Sequence, residues 1–166
     1  MVTVPPTITV LEERPHLGGA QTRCRYLDVR IGDPAWGWRK PLVHVEPEDD
    51  RDRFLSAVGH WLRAASLHVT QALHVERDYA LFEYEGEATL ANTAIDPDRA
   101  RAGIEAGLAA LHAVGIAHGD LRPERVFVTA TSVRLGLGIP WDERATPEAD
   151  LRAARELLAS GRLLAP

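Results

Sequence analysis

Apolar and polar residues follow a period of two in some stretches and a period near 3.6 in others, and the alternation between them lays out the chain. Residues 8–12 (Ile-Thr-Val-Leu-Glu) open as an extended run, and the Pro and Gly content of residues 14–21 predicts a turn-rich piece after it. Over residues 23–31, Cys24, Tyr26, Asp28 and Arg30 alternate with Arg25, Leu27, Val29 and Ile31, the pattern of a second strand. Gly32-Asp33-Pro34-Ala35-Trp36-Gly37 predicts a turn, and residues 38–45 a third strand. The period then changes. After a run of acids from Glu48, the residues Phe54, Leu55, Val58, Trp61, Leu62 and Ala65 recur at helical spacing within 47–68, with negative charge at the end the helix dipole favours. Residues 69–76 and 79–85 predict a hairpin turning at Arg77-Asp78. A second helix is expected over 96–115, with Asp96 as cap, Pro97 in the first turn and Gly115 at its end. Residues 126–138 predict a short hairpin, and 146–160 a last helix with Thr146 as cap, Pro147 next and Glu148 in the first turn. This order defines an α+β protein.

Composition narrows the function classes. The chain has 166 residues, 45% of them apolar and 26% charged, which suits one globular domain or two small lobes and is too apolar for disorder. A formal charge of −5 gives no general attraction to nucleic acid or to an anionic membrane, so neither is an expected partner. Among 19 basic residues Lys40 is the single lysine, so any lysine chemistry has one location. Cys24 is the one cysteine, which excludes an internal disulfide and a cysteine zinc cluster. His16, His44, His60, His68, His74 and His112 show no tight metal-ligand spacing with acids, and His112 reads as a dipole partner at a helix C-terminus. The N-terminus lacks a signal-peptide pattern and no run reaches membrane-span length, so a cytoplasmic location is expected.

The passage from Leu108 into His118-Gly119-Asp120-Leu121-Arg122-Pro123-Glu124-Arg125, followed by apolar Val126-Phe127-Val128, resembles the helix and catalytic loop of the protein kinase-like fold. That family carries His-Arg-Asp-Leu-Lys-Pro-Glu-Asn, and the His-Gly-Asp version is similar to aminoglycoside phosphotransferase-like kinases. The resemblance implies a β-rich N-lobe with one helix over residues 1–86. It implies a truncated, small helical C-lobe over 87–166, because only a short stretch separates the hairpin from the last helix. Either Thr146-Pro147-Glu148 resembles the close of an activation segment, or Asp150-Leu151 resembles the opening of the central lobe helix.

Phosphoryl transfer needs positioning and charge neutralisation, so the family's parts list is short. The resemblance puts the Asn metal ligand at Arg125, where a fixed cation repels Mg²⁺ and offers it no lone pair. It puts the second ligand, an Asp, within residues 134–138, and no acid occurs between Glu124 and Asp142. Asp142 is the nearest substitute. On the nucleotide side, Gly18 and Gly19 stand for the glycine-rich loop. Val45 or Glu46 takes the place of the strand lysine, with Lys40 near the strand's start, and the position of the helix glutamate falls near Ala57.

Asp120 as general base with Arg122 as phosphate clamp is one reading of the loop, with His118 and Asp120 bonding to backbone to pin it as the other. Arg122 and Arg125 flank Glu124 and form a solvated charge cluster, or pair with it or with outside acids. Trp36 and Trp38 suggest a binding surface or, equally, packing between the hairpin and the lobe. Leu151, Ala154, Leu157 and Leu158, continued by Leu163 and Leu164, form an apolar stripe expected to be covered by a second copy of the chain or by another protein. The expectation is a catalytically inactive, kinase-like (pseudokinase) interaction or regulatory module with no cofactor. The alternatives are a compact atypical phosphotransferase using Asp120, with Asp142 or another acid supplying metal, and an ATP-binding switch without catalysis.

Overall fold

The computed structural model describes residues 2–16 and 22–160. Its elements run β1 (Ile8–His16), β2 (Thr22–Ile31), β3 (Trp38–Pro47), α1 (Arg51–Trp61), β4 (Ala72–Val75), β5 (Ala80–Glu83), α2 (Pro97–Ala113), a 3₁₀ turn (Pro123–Arg125), β6 (Val126–Val128), β7 (Val133–Leu135) and α3 (Pro147–Ala159). The fold is α+β, and no helix among the described residues is long and apolar enough to cross a membrane. Two compact units result, Met1–Leu55 with Ala72–Tyr84, and Ser56–Gln71 with Glu85–Pro166. Residues 56–71 group with the second unit.

In the first unit the five strands form one antiparallel sheet in the order β1-β2-β3-β5-β4. Alternation sends Leu27 and Val29 of β2, Leu42 of β3 and Leu81 of β5 to one face, where they are buried with Tyr79 and Val2. Val4, Ile8, Val10 and Ile31 pack onto this cluster, so the segment leading into β1 helps to cover the face. His44 is buried there too, its Nε2 donating to the Thr3 carbonyl at 3.0 Å and its ring stacked on Tyr79 at 4.7 Å between centroids. Asp28 points to the opposite face, where Arg39 Nε donates to both of its oxygens (3.1 and 2.9 Å). The Arg39 guanidinium holds that carboxyl below the usual aspartate range.

Two element ends differ from expectation. β1 runs on to His16 because residues 12–16 find partners in 24–28, and as an edge strand it can accommodate Pro15. α1 stops at Trp61 rather than near residue 68. The helical spacing of Leu62 is accidental: that side chain is exposed, and Leu67 is 79% exposed. Residues 68–70 instead run alongside β7, with Leu135 N donating to the His68 carbonyl and Thr70 N to the Leu135 carbonyl, both at 2.8 Å.

In the second unit α2 lies against the β6-β7 hairpin, with Ile104, Leu108, Leu111, Val126, Val133 and Leu135 in the interior. The approach is close because α2 presents Gly103 and Gly107 one turn apart. A Cβ at Gly107 would lie 2.7 Å from the His68 carbonyl and 2.8 Å from Leu135, and one at Gly103 would lie 2.5 Å from Val133 Cγ2. Gly59 of α1 has open space around it. Gly107→Ala is therefore expected to lose about 1–3 kcal/mol of stability to overpacking, despite alanine's better helix propensity. Gly59→Ala should be neutral or stabilising, and urea unfolding of the two variants checks the contrast.

Candidate functional site

The candidate site is the loop between α2 and β6, within the second unit. α2 closes with Gly115 at φ +83°, its N–H bonded to the His112 carbonyl at 3.0 Å and that of Ile116 to the Leu111 carbonyl at 3.2 Å. The chain then enters Ala117-His118-Gly119-Asp120. What holds it is a side chain from α3. Thr146 caps that helix by accepting from Ala149 N at 3.1 Å, which sets Asp150 in the first turn on the inward face. Asp150 is 2% exposed, and its carboxylate accepts from His118 N (2.7 Å), Gly119 N (2.9 Å) and His112 Nε2 (2.9 Å). Three N–H donors answer the desolvation of one buried charge.

Two successive backbone N–H groups can meet one carboxylate because Gly119 takes φ +79°, and a Cβ there would also stand 2.8 Å from the Ile139 carbonyl. His118 is fully buried. Its Nε2 donates to the Gly136 carbonyl at 2.8 Å, while its Nδ1 accepts from Asp120 N at 3.2 Å. That pairing defines the neutral Nε2–H tautomer, and burial lowers the imidazole pKa in agreement with it. With both ring nitrogens bonded to backbone, His118 has no nitrogen left for proton transfer.

Asp120 behaves differently from the backbone-pinning role. Its backbone N–H bonds to His118, but its carboxylate faces two cations: Arg122 Nε at 3.3 Å and Arg125 Nε at 3.5 Å. Arg122 and Arg125 thus gather on Asp120. Arg125 keeps only 14% of its side-chain exposure.

The remaining expected residues are dispersed. Asp142 is clasped by Arg144, which donates from Nε at 3.1 Å, from Nη2 at 3.0 Å and from its backbone N at 2.8 Å. Among the described residues no three His, Cys, Asp or Glu side chains gather as a metal site. Lys40 lies in the first unit and pairs with Glu83 at 2.8 Å, and Val45 and Ala57 are buried. Gly18, Gly19, Leu163 and Leu164 fall outside the described residues.

Trp36 and Trp38 are 88% and 85% exposed. Their turn is fixed from within, Asp33 Oδ1 accepting from Ala35 N at 2.7 Å and Trp36 N at 3.0 Å. On α3 the stripe divides. Ala154 and Leu157 are already buried beside Asp150, Leu151 is exposed and Leu158 is half-buried, so the inward face is rotated from the one the leucines suggest.

Sequence reasoning missed three contributions. Asp150 could have been found as the one acid on the Ala154/Leu157 face, at i, i+4, i+7 spacing. His112 stands in the last turn of α2 as expected, and its bond to Asp150 is the additional contact. Glu85, accepting from Arg134 Nη1 at 3.1 Å and from Thr70 Oγ1 at 2.8 Å, ties residue 70 to β7 and carries no local signature.

No protein-family model matches the chain, and no curated protein matches it.

Asp150→Asn exchanges an acceptor oxygen for an NH₂ facing N–H donors, and a loss of about 2–3 kcal/mol is expected. Faster amide exchange at His118 and Gly119 would localise the effect to the loop. A pH dependence follows from His118 and His44, both held below the usual histidine pKa by burial. The unfolded chain binds these protons more readily than the folded one, so stability is full above about pH 6.5 and falls as pH drops below it. The limiting slope is about 1.4 kcal/mol per pH unit for each histidine. Urea titrations between pH 7.5 and 5 measure it, and a flat profile would contradict the buried neutral state.

Proposed function

We propose that this protein is a catalytically inactive, kinase-like module that acts through interaction rather than phosphoryl transfer. The observation that carries the reading is the pairing of Asp120 with Arg122 and Arg125. In the resemblance Asp120 is the base and Arg125 stands at the metal-ligand position. A mostly buried guanidinium 3.5 Å from that carboxylate holds fixed positive charge where Mg²⁺ would have to approach. The nearest substitute ligand, Asp142, is enclosed by Arg144. The order of elements agrees with the resemblance: three strands, a helix, two strands, a helix, the loop, a hairpin and a helix.

The surface best suited to a partner is the turn bearing Trp36 and Trp38. Exposed indoles on an ordered backbone lose little freedom on binding, and tryptophan is enriched where partners dock. With Ala154 and Leu157 already covered, α3 is a weaker candidate for self-association.

Thermal unfolding with millimolar ATP, in EDTA and in Mg²⁺ or Mn²⁺, tests the reading. No shift in either condition is expected. A metal-dependent rise would restore the phosphotransferase alternative, and a metal-independent rise the nucleotide-binding switch.

A further inference from the structure

We propose that His44 is a proton-sensitive clasp on residues 2–7: its neutral ring holds this segment over the sheet of the first unit, and protonation releases the segment without unfolding the strands beneath. The device belongs to the first unit and stands whether or not the loop of the second is catalytic. Val2 and Val4 lie on the cluster formed by Leu27, Val29, Leu42, Tyr79 and Leu81. The backbone above them is held by the bond from His44 Nε2 to the Thr3 carbonyl at 3.0 Å, made by a ring that is 1% exposed. Val2 N donates to Glu13 Oε2 at a longer 3.3 Å, and further along Gly32 N donates to the Thr7 carbonyl at 2.8 Å. Between these points Pro5 and Pro6 have no N–H to contribute.

The surroundings of the ring favour its neutral form. It stacks on Tyr79, which lies 6.1 Å from the ring of His74, and its Nδ1 is buried without a hydrogen-bond partner. The carboxylate nearest to that nitrogen, Glu46 Oε1, stands 3.7 Å away, too far for a hydrogen bond. Across the ladder His44 faces Arg25, which is already paired with Glu13 of β1 at 2.8 Å. Burial lowers the imidazole pKa and outweighs the opposing pull of Glu46 and Glu13. A proton on Nδ1 therefore adds a charge and a donor where neither is solvated, and exposing the ring to water relieves both.

The segment has room to lift. A cavity of about 480 Å³ borders residues 3–6, its other walls being Glu46, Pro47, Arg51 and residues 76–79. A second, of about 380 Å³, touches Pro5, Thr7 and Ile8 and reaches Leu42 and Leu81. A piece of chain packed on one face and bordered by open space is a natural unit of local opening. Lifting it uncovers Leu27, Leu42 and Leu81, so proton concentration controls how much apolar surface the unit shows.

Amide hydrogen exchange of the full-length protein, read by NMR between pH 7.5 and 5 and corrected for intrinsic rates, tests the clasp. The released ring takes up its proton near about pH 6.5 and the clasped ring only at lower pH. Closure is therefore strongest above about pH 6.5 and weakens as pH falls toward the clasped value. Protection of Gly32 N and Ile8 N, which bond to the Thr7 and Pro5 carbonyls, is expected to fall by up to about tenfold per pH unit below that point. Amides of the β2-β3 ladder should keep theirs. His44→Gln retains a donor for the Thr3 carbonyl and cannot titrate, so its protection at Gly32 and Ile8 should be independent of pH, whatever its absolute level. A flat wild-type profile, the same pH dependence in His44→Gln, or parallel loss along the β2-β3 ladder overturns the clasp. Protection that rises at low pH overturns it as well, because Glu46 would then be closing on the protonated ring. The wild-type profile alone decides the matter if the variant does not fold.

Discussion

The second unit depends on one buried carboxylate. Asp150 accepts two consecutive backbone N–H groups of the His118-Gly119 turn and one side-chain N–H from the end of α2, so α3 is tied through two oxygen atoms to a stretch more than thirty residues before it. The geometry of the loop follows from it. Gly119 must be left-handed to turn its N–H inward, His118 is then driven beneath the loop, and Asp120 emerges on the far side toward its arginines. Removing the carboxylate would leave donors without acceptors in a place water reaches poorly, which makes the joint all-or-none rather than gradual.

The distribution of charge around this joint separates two kinds of acid. Asp150 is satisfied by directed hydrogen bonds that hold the chain. Asp120 is instead paired with two cations, Arg122 Nε at 3.3 Å and Arg125 Nε at 3.5 Å. The first contact type builds the scaffold, and the second gathers charge on the loop.

How much was legible in the sequence depended on whether the governing interaction was local. Strands β2 and β3 and helices α2 and α3 announced themselves through alternation, caps and terminal glycine, all properties of neighbouring residues. The end of α1 did not, because Leu62 and Leu67 keep helical or apolar character while facing solvent, and the pairing of residues 68–70 with β7 spans more than sixty positions. Pro15 read as a turn although an edge strand tolerates it. At the site, the residue types of the loop were visible and their partners were not. Arg125 was expected at its position, but only the fold shows it turning to Asp120 rather than to Glu124. The leucines of α3 pointed to a stripe one step away from the true inward face, because that face includes an aspartate that hydrophobic patterning counts as outward.

The placement of the four tryptophans gives the molecule built-in optical reporters. Trp36 and Trp38 belong to the first unit and stand in solvent, whereas Trp61 and Trp141 belong to the second and are buried. Trp61 donates from Nε1 to the Thr70 carbonyl at 2.9 Å and lies 6.0 Å from the ring of His118, so its emission senses the same loop that Asp150 fixes. Indoles in water already emit at the wavelength of an unfolded chain. The blue part of this protein's fluorescence therefore belongs to the second unit, and the red part is an optical label on the exposed turn of the first.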